Sequence, residues 1–253
     1  MLPLSPLYPT TPIILGHRGA SAYAPENTLA AFRLALEQGA DGVELDVTLS
    51  ADDAPVVIHD DTLDRTTDGR GPVRAHSLAE LKRLDAGRWF GLKFAGERLP
   101  TLGEAFAALG RGPLINVELK RDPSGAGRLP ERVVTLIREH HLEQRVLISS
   151  FHYANLRRVR ALAPELPLGL LYDPTEPAGI LRAVFAPGVQ AEAHHPYFGL
   201  VGRLTMRWYR ARGVRVNAWT VNSEGDLRRM LSAGVDGIIT NHPDAAVRVR
   251  AER

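Results

Sequence analysis

Short runs of aliphatic and β-branched residues alternate along the chain with longer stretches whose apolar positions recur every three or four residues, beginning with 12–15, then 27–38, then 42–48. Further strand-like runs are Val56–Ile58, Leu114–Leu119, Val146–Ser149, Leu168–Leu171, Val189–Ala193, Val214–Ala218 and Gly237–Thr240. Helical stripes fall between most of them. Leu29, Phe32 and Leu36 form one, ended by Gly39; Val133, Leu136, Ile137 and His140 form another; Leu227, Met230 and Leu231 form a third before Gly234. Repeated β-then-α order predicts parallel strands. Counting the Val56 run with the second unit leaves eight strands, which predicts a closed (β/α)₈ TIM barrel. No glycine-rich dinucleotide fingerprint follows the first strand, which argues against an open doubly wound sheet. Between His59 and Pro100 the strand pattern lapses and one helix is expected at 77–84. A stretch of about 40 residues rarely folds alone, so 60–99 is expected to be a small insertion on the rim of a single domain, 1–253.

The alternation within the strands singles out unusual polar positions. Glu44, Asp46 and Thr48 project to one side, and Val43, Leu45 and Val47 to the other. The two carboxylates are then roughly 7 Å apart along the strand, close enough to share one cation and costly if nothing neutralises them. Asn116, Glu118 and Lys120 repeat the pattern opposite Val117 and Leu119. The outer face of a barrel strand packs against helices, so the acids are expected to point inward. His17 and Arg18 end the first strand, His59 ends the Val56 run, and Trp219 ends the run at 214–218. A parallel barrel gathers all these ends on one rim, where barrel enzymes assemble their sites. A lone strand-end histidine is an ordinary loop residue, and two acids on a strand can be an exposed edge. Convergence of His17, Glu44, Asp46, His59, Glu118 and Lys120 on one rim is what points to chemistry.

Composition narrows that chemistry. The 253 residues are 44% hydrophobic and 24% charged, ordinary for a soluble globular protein, and carry a formal charge of +2. Short basic groups, Arg157, Arg158 and Arg160 or Arg228 and Arg229, fall on solvated helix faces, so no nucleic-acid partner is expected. The chain has no cysteine, which excludes disulfides, thiolate metal ligands and thiol nucleophiles. Three carboxylates then form a hard oxygen site suited to one divalent cation, Mg²⁺ or Ca²⁺. Arg18 offers a planar fork and Lys120 a point charge to phosphate oxygens. Two histidines can divide general base and general acid roles. Together these read as metal-assisted hydrolysis of a phosphodiester. Residues 1–12 carry four prolines and neither a cationic start nor an apolar core. No membrane insertion is expected, and the location predicted is the cytoplasm.

The residues also carry a resemblance. His17-Arg18-Gly19, Pro25-Glu26-Asn27-Thr28, Glu44-Leu45-Asp46-Val47, His59-Asp60, Leu63-Asp64-Arg65-Thr66-Thr67 and Asn116-Val117-Glu118-Leu119-Lys120 look like the signature of the glycerophosphodiester phosphodiesterase family. The likeness continues through Pro100-Thr101-Leu102, Ser149-Ser150-Phe151, Ala218-Trp219-Thr220-Val221-Asn222 and Gly234-Val235-Asp236-Gly237. It implies a barrel with an insertion after the second strand, a metal on Glu44, Asp46 and Glu118, and His17 and His59 as the acid–base pair. It further implies Arg18 and Lys120 on the phosphate, and Trp219 with Phe151 as an apolar wall beside the glycerol carbons. The substrates implied are small glycerophosphodiesters, cleaved to sn-glycerol 3-phosphate and an alcohol. Glu26 and Asn27 brace the site in this reading, or Asn27 caps the first helix. His194 and His195, expected after the sixth strand, stay outside the catalytic set. The likeness departs at Asn241, where the family more often carries Asp. Two alternatives stand beside it: a phospholipase-type phosphodiesterase acting on lipid diesters, and a non-catalytic barrel that binds phosphorylated metabolites.

Overall fold

Strand β1 (Ile13–His17) pairs in parallel with β2 (Gly42–Leu49) on one side and with β9 (Gly237–Thr240) on the other, and this double partnership closes the sheet into a ring. Round the ring from β2 run β4 (Leu114–Leu119), β5 (Val146–Ser150), β6 (Leu168–Tyr172), β7 (Ala193–Pro196) and β8 (Arg215–Ala218), each parallel to its neighbours. The eight parallel strands are those of a (β/α)₈ barrel. The structure, a computed structural model, describes residues 7–8, 12–121, 127–175 and 190–252.

Helices pack outside the ring: α1 (Leu29–Glu37), α3 (Leu102–Leu109), α4 (Arg128–Glu139), α5 (Tyr153–Leu162), α6 (Arg203–Ala211), α7 (Glu224–Ala233) and α8 (Pro243–Ala251). The period of two along the strands decides which residues meet them. Val43, Leu45, Val47, Ile115, Val117, Val146 and Ile148 face outward and join Phe32, Phe106, Val133 and Ile137 in the main core. Each fully buried side chain of this kind contributes about 1.5–3 kcal/mol. The alternate residues fill the barrel. Ile13, Leu15, Leu114, Leu147, Ala193 and Ile239 form an apolar plug with Leu7 and Tyr8, leaving the other end for polar groups.

Local signals set several boundaries. Thr101 and Glu104 form a capping box at α3, and Ser223 caps α7 by accepting from the Asp226 N–H. Gly234 ends α7 at φ 73°, a conformation that favours glycine. Three expectations shift. The first helix is capped by Thr28, not Asn27, whose side chain is engaged elsewhere. The Val56 run is a short strand β3 (Pro55–Val57) antiparallel to β2 and outside the ring. The run expected at 189–193 is strand only from Ala193, Val189 lying outside the described residues, and it continues to Pro196. His194 and His195 therefore sit within β7 rather than after it. His195 points inward, where the Asn217 Nδ2 donates to its Nε2 at 2.9 Å, and His194 packs outward against Tyr172 and Tyr209.

Between β3 and α3 the chain adds no barrel strand. Its one α-helix, α2 (Leu78–Leu81), is shorter than the 77–84 expected, and Leu63, Val73, Leu81, Ala86 and Leu99 bury against Val56 and Ile58.

Candidate active site

The C-terminal ends of the strands surround a cavity of about 230 Å³ lined by His17, Arg18, Glu44, His59, Asn116, Glu118, Phe151, Leu171, Asp173, Trp219 and Ile239. Its acidic side is built by register. Asp46 on β2 pairs with Glu118 on β4, and Glu44 lies two residues before Asp46 on the same face. Each of the three carboxylates offers an oxygen within 4.8 Å of the others, and they are only 3%, 1% and 8% exposed for Glu44, Asp46 and Glu118. The trio is a donor set of buried hard oxygens, which fits a divalent cation.

Neighbouring charges divide the trio. Burial, reinforced by Asp46 and Glu118, raises the Glu44 carboxyl well above the usual carboxylate range. Burial also raises Glu118, with Asp46 adding to it and Lys120 opposing. Burial pushes Asp46 up too, but Lys120 and Arg18 outweigh it and hold this carboxyl low. The Lys120 ammonium donates to Glu118 Oε1 at 2.9 Å and to Asp46 Oδ1 at 3.3 Å. Lys120 thus bridges two of the carboxylates and is not among the residues lining the cavity.

A turn after β1 delivers Arg18. Its backbone is left-handed at φ 55°, and Gly19 follows at φ 85°, where an added Cβ would lie 2.5 Å from the Ala31 carbonyl carbon. Only glycine fits that approach. The turn aims the Arg18 N–H at Glu44 Oε2, 3.0 Å away, and lets the guanidinium donate to Glu26 Oε1 at 2.8 Å. Its Nε stands 3.4 Å from Asp46 Oδ2 and has no hydrogen-bond partner. Asn27 donates to Asp46 Oδ2 at 2.8 Å, so Glu26 and Asn27 both brace the acidic group.

The histidines flank the same cavity, and each is anchored through Nδ1. His17 Nδ1 lies 2.6 Å from Asn241 Oδ1, so it carries the proton and donates, leaving Nε2 as an acceptor. Burial and then Arg18 lower its pKa to about 4, which keeps the ring neutral near pH 7. His59 donates from Nδ1 to Asp60 Oδ1 at 2.7 Å. Arg65 grips both Asp60 oxygens and both Glu26 oxygens at 2.7–2.9 Å. A chain of alternating charge therefore runs from Arg18 through Glu26, Arg65 and Asp60 to His59. The sequence motif included Asp60 and Arg65, but their charges alone gave no reason to join them to the site. Opposite the charged side, Phe151 and Trp219 meet edge to face, with ring centres 5.5 Å apart, and Trp219 Nε1 donates to the His195 carbonyl.

Residues 17–245 match the model of the glycerophosphoryl diester phosphodiesterase family. This chain belongs to that family. A glycerophosphodiester phosphodiesterase of Caldanaerobacter subterraneus subsp. tengcongensis is 44% identical over 238 residues, which span 93% of this chain and 96% of that relative. One from Bacillus altitudinis is 37% identical over 94% of this chain and 98% of its own length. Among solved structures, an Oleispira antarctica phosphodiesterase in complex with the product sn-glycerol-3-phosphate is 34% identical, with a TM-score of 0.88 over 97% of this chain and 99% of the other. Family membership makes the chain an enzyme and accounts for acids and imidazoles gathered on one barrel rim. Among the described residues no helix is long and apolar enough to cross a membrane.

Proposed function

We propose that this protein hydrolyses glycerophosphodiesters to sn-glycerol 3-phosphate and an alcohol, with one divalent cation, Mg²⁺ or Ca²⁺, held by Glu44, Asp46 and Glu118. The observation that carries the reading is the buried carboxylate trio beside two histidines whose Nδ1 atoms are both anchored on oxygen. When bound, such a cation polarises a phosphoryl oxygen. Arg18, which lines the cavity, meets the phosphate with its guanidinium, and Lys120, bonded to Glu118 and Asp46, adds a second positive charge to the cluster. Phe151 and Trp219 form the wall beside the glycerol carbons.

Partner chemistry supports one division of the proton transfers. His17, neutral and held by an amide oxygen, takes the proton of the attacking oxygen on Nε2. His59, held by a carboxylate, delivers a proton to the leaving oxygen, and Asp60 fixes the orientation of its ring. Residues 60–99 act as a small rim insertion that supplies Asp60 and Arg65 to this arrangement. A cavity of about 230 Å³ suits a deacylated diester better than one carrying acyl chains, and the setting inferred is cytoplasmic.

The test couples release of glycerol 3-phosphate to its dehydrogenase across a panel of glycerophosphodiesters and divalent ions, with a chelator control. Turnover should require the ion, and His17→Ala and His59→Ala should each lose about 10²–10⁴ in kcat while keeping the fold and the cation. No glycerol 3-phosphate with any ion, or His59→Ala at wild-type turnover, would overturn the reading. Faster hydrolysis of intact lipid vesicles than of glycerophosphocholine would replace it with the lipid-diester alternative.

A further inference from the structure

Asn116 lies on the inner face of β4, beside its register partner Glu44 and two residues before Glu118, and it lines the cavity. It is 1% exposed, yet neither Oδ1 nor Nδ2 has a hydrogen-bond partner. On the adjacent strand, Ser149 pairs in register with Glu118, and its Oγ is also buried and unpaired. Other buried amides near the barrel's interior are at least half engaged: Asn27 donates to Asp46 and accepts from its N–H, and Asn217 donates to Tyr8 and His195 while its Oδ1 has no partner, whereas Asn116 has no partner on either atom. One layer below, Leu114 and Leu147 fill the equivalent inward positions, so packing alone does not call for an amide here. Burying polar groups without partners is destabilising, and such groups in a pocket point to a ligand that completes them.

The chemistry of that ligand follows from the surroundings. An amide presents one donor face and one acceptor face, which is the complement of a hydroxyl. An anion is disfavoured between Glu44 and Glu118, and an alkyl group would leave both amide atoms unpaired. We propose that Asn116 binds the glycerol hydroxyls of the substrate and restricts the enzyme to diesters of glycerol, with Ser149, the register partner of Glu118 behind the cavity lining, in a lesser part. This inference rests on the glycerophosphodiester reading and names the residues that select its alcohol half. A site built to hydrogen-bond a hydroxyl rejects the analogue lacking it, because its own polar groups are then left bare.

Calorimetric titration with sn-glycerol 3-phosphate and with 1-propyl phosphate, both with saturating Mg²⁺, tests it without requiring turnover. The wild-type protein should prefer the glycerol compound by about 10- to 100-fold or more. Asn116→Leu, close in volume, should lose that preference while binding propyl phosphate and Mg²⁺ as before, and its Tm should equal or exceed the wild-type value. Ser149→Ala should reduce the preference less. Equal wild-type affinity for the two phosphates would overturn the proposal without recourse to any variant. Equal weakening of both ligands by Asn116→Leu, or a loss of Mg²⁺ affinity that explains the change, would overturn it as well. A protein that binds glycerol 3-phosphate selectively yet hydrolyses no diester would refute the proposed function and keep this inference.

Discussion

Acidification should weaken Mg²⁺ or Ca²⁺ binding, and the trio determines how steeply. Glu44 and Glu118 have raised pKa values, chiefly from burial and from the neighbouring carboxylates, while Asp46 is held low by Lys120 and Arg18 against its own burial. In the metal-free protein the first two therefore keep protons at a pH where an ordinary carboxyl has lost them, and Asp46 stays ionised. A cation needs all three ionised, so binding expels up to two protons and not three. Affinity is complete above the raised pKa values and is lost as the pH falls through them. Below both, log Ka should fall by about 2 per pH unit, a factor of about 100 or roughly 2.7 kcal/mol, and by about 1 per unit between them. Calorimetric titrations in two buffers of different ionisation enthalpy, from about pH 8 down to the ordinary Glu value of about 4.3, read both the slope and the protons released. Glu118→Gln should remove one proton from the count. Affinity that is flat over that range with no proton release would refute the reasoning, and three protons released would show that Asp46 is not held ionised.

Other outcomes follow from single contacts. Asn241→Asp places a carboxylate against His17, whose pKa of about 4 comes from burial and Arg18. It should raise that pKa by about 1–3 units and move the acidic limb of kcat/KM upward equally, since the proton acceptor must be unprotonated; an unmoved limb would contradict its role. Gly19→Ala puts a Cβ at 2.5 Å from Ala31 in a left-handed turn and should cost at least about 2 kcal/mol, read from the urea midpoint. His194 and His195 are lowered by burial to about 4 and about 3. The unfolded chain binds their protons first, so stability should fall as pH drops below about 6.5, by up to about 1.4 kcal/mol per pH unit for each. Urea midpoints against pH should show that slope, and His195→Gln should reduce it.

The parts of this fold legible in the chain are those where one element suffices. The period of two in Gly42–Leu49 and Leu114–Leu119 placed Glu44, Asp46 and Glu118 on inner faces, because a strand with an apolar outer face has no other way to lie against helices. β7 was harder. Ala193-His194-His195-Pro196 has no β-branched residue, and it is strand because β6 and β8 pair with it on both sides. Asn27 is a good cap by type, yet a long-range bond to Asp46 engages its side chain and the cap falls to Thr28. Asp60, Arg65 and Asn241 matter through contacts with Glu26, His59 and His17, which lie up to 224 residues away in sequence. No periodicity encodes such a pairing. The unpaired state of Asn116 is likewise visible only once every neighbour has its place.

Charge balance across this network explains why the acids can be buried at all. Glu26, Glu44, Asp46, Asp60 and Glu118 form one connected group with Arg18, Arg65 and Lys120, five carboxylates against three cations. The deficit is two charges, and it falls on Glu44 and Glu118, the two carboxyls with raised pKa values. Two protons or one divalent cation make up the same difference, so the cation exchanges for protons with little change in the net charge of the buried cluster. Arg65, bonded to Glu26 and Asp60 at once, shares Glu26 with Arg18, and the two guanidiniums together keep those acids from adding to the deficit. The segment that contributes Asp60 and Arg65 thereby supplies one carboxylate and one guanidinium, a neutral addition that anchors His59 without disturbing the balance at the carboxylate trio.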